Sequence, residues 1–196
     1  MRCELIGWSE IQRLCLKLAK LIKTSNYNPD VVVAIGRGGY VPARLLCDYL
    51  DIMALTSIKI ELYHSGSKKS EQAVIKYPLC TSIKGQKILL VDDVNDSGET
   101  LEIALNHLKT FKPAEIRTAV MHQKLSTHCC IDYYAKKVIK WRWLIYPWAV
   151  HEDINGFLQE MTPRMKTIEV AQQRLKDEYA ISLSLKHLKE IMHMKN

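Results

Sequence analysis

The chain has 196 residues, 47% of them hydrophobic, with 28 Lys and Arg against 21 Asp and Glu and a net charge of +7. That length suits one α/β domain of about 150 residues with an appendage, and no apolar run approaches the roughly 20 residues of a membrane span. The positive excess is spread out, with no Lys/Arg run interleaved with aromatics, which disfavours a nucleic-acid partner and suits a polyanionic small substrate.

The opening Met1-Arg2-Cys3-Glu4 holds neither an apolar core nor a small-residue cleavage site, so a cytoplasmic protein is expected. Residues 8–23 read as an amphipathic helix with Trp8, Ile11, Cys15, Leu18 and Ile22 on one face beside Leu14 and Leu21, and Ser9 with Gln12 as a capping box. A turn at Asn26–Asp30 leads to Val31-Val32-Val33-Ala34-Ile35, apolar on both faces as a buried parallel strand is. Gly36-Arg37-Gly38-Gly39 is a loop, and Pro42 opens a helix to about Leu50. Ile52 to Leu62 reads as strand, His64 to Glu71 as a polar loop, and Ala73 to Tyr77 as a returning strand.

Ile88-Leu89-Leu90-Val91 is again a short buried strand, followed by Asp92-Asp93-Val94-Asn95-Asp96-Ser97-Gly98-Glu99-Thr100 and then by apolar residues at helical spacing, Leu101, Ala104, Leu105 and Leu108. Strand segments near Ile116–His122, Tyr133–Ile139 and Trp143–Tyr146 complete the body. From Pro163 the composition turns to Lys, Glu, Gln and Arg. Ile168, Ala171 and Leu175 mark one helix there, and Ser182 or Ser184 caps a last one through Met192. Alternating strands and helices predict a parallel sheet flanked by helices, with ligands beyond the carboxyl ends of its strands.

Six cysteines show no CxxC or Cys/His ligand spacing, and Cys15 and Cys47 read as core residues. His122, His128, Cys129 and Cys130 are read as buried or strand-end residues rather than a zinc site, which favours paired ligands at defined separations.

The acidic strand end carries the chemistry. Carboxylates accept hydrogen bonds from sugar hydroxyls or hold a metal, while the hydroxyls and backbone N–H groups of a helix-opening turn hold a phosphate. Three carboxylates crowded together repel one another and need cationic or hydroxyl-rich partners. A sugar phosphate supplies such a partner.

The string Ile88–Thr100 resembles the PRPP-binding motif of the type I phosphoribosyltransferases: an apolar run, two acids, two variable residues, Asp, Thr or Ser, Gly, a variable residue and Thr. The resemblance implies that family's α/β fold, with a hood region, over residues 1–160, followed by a helical extension at 161–196. It implies that Asp92 and Asp93 hold the ribose hydroxyls, that Asp96 sits near the reacting base, and that Asp96, Ser97, Gly98, Glu99 and Thr100 cradle the 5-phosphate, mostly through backbone N–H groups. Gly36, Arg37, Gly38 and Gly39 look like the family's pyrophosphate loop, in which the residue at the Arg37 position often follows a cis peptide. Arg37 and Asp96 are the catalytic candidates, and the loop His64–Glu71 resembles the hood, with Tyr63, Lys68 and Lys69 as pyrophosphate contacts.

Lys124 and the string Trp143-Leu144-Ile145-Tyr146-Pro147-Trp148 are similar to the 6-oxopurine branch, xanthine-guanine enzymes in particular. There the Lys donates to purine O6 and the aromatic at Trp143 stacks on the base, with Leu144 beside it. The implied reaction joins a 6-oxopurine to PRPP with Mg²⁺ carried in by PRPP and held by Asp92 and Asp93, in a homodimer. One departure stands out: relatives place an acid directly after the Pro-Trp pair, where this chain has Ala149, and Glu152 or Asp153 are the candidate substitutes. The alternatives are transfer to adenine or a pyrimidine, and a non-catalytic PRPP- or nucleotide-sensing regulator whose basic tail touches nucleic acid or a partner.

Overall fold

A computed structural model of the chain describes residues 1–64, 71–127, 129–161 and 167–194. Its contacts group into two compact units, Ile11–Ile139 and a smaller one made of Met1–Glu10 with Lys140–Asn196.

The larger unit holds strands β2 (Val31–Gly36), β3 (Leu55–His64), β4 (Glu71–Tyr77), β5 (Lys87–Asn95), β6 (Glu115–Lys124) and β7 (Tyr133–Val138) in one sheet of order β4-β3-β2-β5-β6-β7. All neighbours are parallel except β3 and β4, which form an antiparallel pair at the edge. Helix α1 (Trp8–Thr24) precedes β2, α2 (Tyr40–Leu50) links β2 to β3, and α3 (Glu99–Lys109) links β5 to β6. On one face Leu101, Ala104 and Leu108 of α3 join Val31, Val33, Ile35, Ile88 and Leu90 in a single apolar core. On the other, Cys15 of α1 puts its Sγ 3.6 Å from Met121 Sδ. Apolar residues on both sides of each central strand are what such a two-faced burial requires.

From β2 the chain moves to β3 on one side, and from β5 to β6 and β7 on the other. The order therefore reverses between β2 and β5, and the crevice beyond their carboxyl ends is where such sheets bind ligands.

The helix expected at 8–23 is present, but it begins at Trp8, so Ser9 lies inside its first turn instead of capping it. Ile11, Leu14, Cys15, Leu18, Ala19 and Ile22 are its buried residues, whereas Trp8 and Leu21 are exposed. Cys15 and Cys47 are buried core residues as expected.

In the smaller unit β1 (Cys3–Leu5) and β8 (Trp143–Ile145) form a separate parallel pair, Cys3 opposite Trp143. The sequence pattern leaves β1 unmarked and suggests β8 as part of the body. Three-residue strands carry too little periodicity to reveal a partner so distant in the chain. Helices α4 (Val150–Glu160), α5 (Ile168–Tyr179) and α6 (Leu185–His193) complete this unit. Its core gathers Cys3, Ile145, Ile154, Phe157, Ala171, Leu175, Leu188 and Ile191. Thr167 caps α5 by accepting the Val170 N–H, and Ser184, not Ser182, caps α6 through the His187 N–H. Among the described residues no helix is long and apolar enough to cross a membrane.

Candidate active site

Three parallel strands in a row, β2, β5 and β6, end side by side, and each delivers one of the marked segments. The turn after β2 has glycines where a β-carbon would crowd its neighbours, most severely at Gly39, where the obstacle is backbone. A β-carbon on Gly39 would lie 2.7 Å from the Ile35 carbonyl oxygen and closer still to that of Val91. One on Gly38 would overlap the Asp93 carboxylate. The Gly36–Arg37 peptide is cis, as the resemblance implies, and Gly39 N–H bonds the Ile35 carbonyl at 2.9 Å.

The acids do not follow the strand; they are part of it. The β5 ladder runs on through Asp92 opposite Val120 and Val94 opposite His122 to Asn95 opposite Gln123. Strand alternation therefore sends Asp92 and Asp93 to opposite faces. Asp92 is 8% exposed, and its Oδ1 accepts the Asp93 N–H at 2.9 Å. Burial, reinforced by the Asp93 charge, pushes its carboxyl well above the ordinary range, so Asp92 tends towards the neutral form. Asp93 is partly open and lies against the glycine loop.

Beyond β5 the chain bends at Asp96-Ser97-Gly98 into α3. Gly98 has φ 97°, a left-handed conformation, and a β-carbon there would strike Cys129 and Thr127. The N–H groups of the first turn of α3 cannot find intrahelical carbonyls, which makes this end an anion cradle. The Glu99 carboxylate accepts the Ala73 N–H at 3.4 Å, while the Glu99 N–H donates to Ser97 Oγ, also at 3.4 Å.

The third strand end brings Lys124. Its Nζ is 2.5 Å from Asp96 Oδ2, with the Lys124 side chain 4% exposed and that of Asp96 41%. An amine this buried needs a partner, and a carboxylate this open still has a face for a ligand. Ser126, two residues on, donates to Asp96 Oδ1 at 3.1 Å. Asn95, 1% exposed, reaches Gln123 Oε1 at 3.1 Å and the Cys129 carbonyl at 3.4 Å. The segment after β6 thus closes as a collar around the bend.

Lys68, Lys69 and most of the predicted hood loop lie outside the described residues, as do His128 and residues 162–166 of the tail. Tyr63 is in β3 with its backbone opposite Gln72. Trp143 and Leu144 belong to the smaller unit. There Trp143 is 40% exposed and donates its indole N–H to the Asp153 carboxyl, while Leu144 is buried. Burial, opposed by that hydrogen bond and helped by the Glu152 charge, pushes Asp153 up to about 6. Ala149 sits at the N-terminus of α4. Tyr146 and Trp148 stack at 4.9 Å, and Trp8 lies 6.0 Å from Trp148.

Ser126 and Asn95 were not marked by sequence, since a serine in a polar turn and an asparagine before an acid carry no distinctive pattern. Among the described residues no three His, Cys, Asp or Glu side chains gather to hold a metal. Of the two acids, the partly open Asp93 beside the glycine loop fits Mg²⁺ in its usual mode, with one protein carboxylate and the remaining oxygens from substrate phosphates and water.

A family model described as the phosphoribosyl transferase domain matches residues 7–154. The xanthine-guanine phosphoribosyltransferase of Ruegeria sp. (strain TM1040) is 33% identical over 153 residues, covering 73% of this chain and 83% of that protein. The hypoxanthine-guanine phosphoribosyltransferase of Saccharomyces cerevisiae is 29% identical, covering 74% and 85%. A purine phosphoribosyltransferase structure from Pyrococcus horikoshii is 32% identical with a TM-score of 0.66, covering 76% of this chain and 94% of that one.

Proposed function

Because the chain belongs to the phosphoribosyl transferase family, we propose that it transfers the 5-phosphoribosyl group of PRPP to a 6-oxopurine, giving a nucleoside monophosphate and pyrophosphate in purine salvage. The observation that carries the choice of base is the buried Lys124 amine beside Asp96 at the end of β6. A Lys offers only donors, which suits the O6 acceptor of an oxopurine and not the amino group of adenine.

In this reading the cradle at Asp96–Thr100 takes the 5-phosphate through backbone N–H groups. Asp92 and Asp93 take the ribose hydroxyls, and the Gly36–Gly39 loop with Arg37 takes the pyrophosphate, joined by Tyr63, Lys68 and Lys69. Lys124 donates to O6. Trp143 offers its face for stacking on the base, beside Leu144. The carbon–oxygen bond to pyrophosphate breaks with its electron pair leaving on oxygen, and the purine nitrogen attacks the opposite face of the anomeric carbon. Asp96 takes the N7 proton or balances charge at the ribosyl centre. Asp92 and Asp93 would hold Mg²⁺ brought in with PRPP, which would supply charge neutralisation for the leaving pyrophosphate.

Residues 1–160 are assigned to the catalytic domain and 161–196 to a helical extension, an assignment supported by a family match that ends at residue 154. A homodimer in the cytoplasm completes the proposal. The test is a PRPP-dependent assay with hypoxanthine, guanine, xanthine, adenine and uracil in parallel, with and without Mg²⁺. Turnover of at least one 6-oxopurine and not of adenine or uracil is expected. No nucleotide from any 6-oxopurine would sink the proposal.

A further inference from the structure

Ser126 lies on the turn that follows β6 and has one hydroxyl hydrogen to give. Its Oγ stands 3.1 Å from Asp96 Oδ1 and also 3.1 Å from the Asp96 backbone carbonyl oxygen. Both acceptors belong to the same residue, so only one can receive the hydrogen fully at a time. Lys124 holds the other carboxylate oxygen, Oδ2, at 2.5 Å. Two donors from one short segment thereby fix the plane of a carboxylate that stays 41% exposed.

We infer that Ser126 is a positioning residue for Asp96, holding its carboxyl in the same orientation in both protonation states. The inference rests on the reading of Asp96 as the group beside purine N7. With Asp96 ionised, the Ser126 O–H points at Oδ1. When the N7–H bond breaks, its electron pair stays on the purine and the proton forms an O–H bond at Oδ1. The Ser126 hydroxyl then rotates, gives its hydrogen to the Asp96 backbone carbonyl and accepts the new O–H of Oδ1. A hydroxyl both donates and accepts, so it follows the proton without moving its oxygen. Lys124 cannot do this, since an ammonium only donates. Ser126 needs no contact with the substrate for this role; it acts through Asp96.

The experiment is steady-state kinetics with PRPP and guanine on wild type, Ser126→Ala, Ser126→Thr, Asp96→Asn and the double variant Asp96→Asn/Ser126→Ala, with melting temperatures alongside. Ser126→Ala is expected to lower kcat about tenfold with both KM values within about twofold, in line with one hydrogen bond to a charged group. Ser126→Thr keeps the hydroxyl and restores most of the turnover. In the Asp96→Asn background, Ser126→Ala changes the residual kcat by less than about twofold, because the group it serves is gone. A wild-type kcat in Ser126→Ala overturns the inference, and so does a full tenfold loss that persists in the Asp96→Asn background. An inactive wild type overturns the functional reading first, and the assay of the unmodified protein identifies that case.

Discussion

Gly38 lies directly against the carboxylate of Asp93: a β-carbon there would come within 2.7 Å of Oδ1 and nearer still to Oδ2. Two segments more than fifty residues apart in sequence are thus in contact at the point where the sheet order reverses. The obstacle at Gly38 is the end of a side chain, which can swing away. At Gly39 it is backbone, the carbonyls of Val91 and Ile35, which cannot. Gly38→Ala is therefore expected to fold with little change in melting temperature and lose about tenfold or more in PRPP-dependent turnover as Asp93 is displaced. Gly39→Ala should lose about 2 kcal/mol of stability, roughly 4–8 °C in Tm. Thermal melts beside kinetics separate the two; equal melting losses would contradict the contrast.

Asp92 sets a pH dependence of stability. Its folded pKa lies above the unfolded value through burial and the Asp93 charge, so the native state holds the proton more tightly. Native stability then falls as pH climbs from the ordinary carboxylate range of about 4 towards the raised folded value. Asp92→Asn keeps an oxygen for the Asp93 N–H and removes that fall, so its Tm should exceed that of wild type at pH 7. On the proposed ribose-holding role of Asp92, PRPP turnover should drop about 100-fold at the same time. Melts of both proteins from pH 4 to 8 decide the first half, and a variant that is less stable at pH 7 would refute it.

The Asp153 carboxyl, pushed up to about 6 and bonded to the Trp143 indole, makes a spectroscopic reporter. Indole fluorescence is expected to titrate with a midpoint near 6, and the transition should vanish in both Asp153→Asn and Trp143→Phe. Since this folded pKa is also raised, its contribution to stability is fully present below the ordinary carboxylate range and is lost as pH rises through about 6. A titration that persists in Trp143→Phe would assign the signal elsewhere.

Lys124→Met preserves the buried stem of the side chain and removes the charge beside Asp96. Turnover of guanine and hypoxanthine, measured as kcat/KM, should fall about 100-fold, the scale of a lost electrostatic contact to the reacting base. Adenine should gain relative to them. An equal fall for every base would mean that Lys124 serves Asp96 alone.

Much of this protein is written locally. The runs Val31–Ile35 and Ile88–Val91 announce buried strands because apolar residues on both faces can only be satisfied between two layers. The glycine turn and Asp92–Thr100 are legible because special backbone and charge requirements admit few residue types. The tail helices are legible from spacing and caps. The helix over 8–23 was also visible, but Ser9 misled as a cap because a serine inside a first turn looks the same as one before it.

What the sequence by itself determined is the inventory: which segments are strands, which residues carry charge, and that acids, glycines and a lysine fall at segment ends. The tertiary structure alone decided their relations. It continued β5 through the acids, paired β1 with β8 across more than half of the chain, buried Lys124 against Asp96, and closed Ser126 over the same carboxylate. The reason is physical. Periodicity and turn chemistry act over a few residues, whereas burial, pairing partners and shifted protonation depend on what packs alongside from distant parts of the chain.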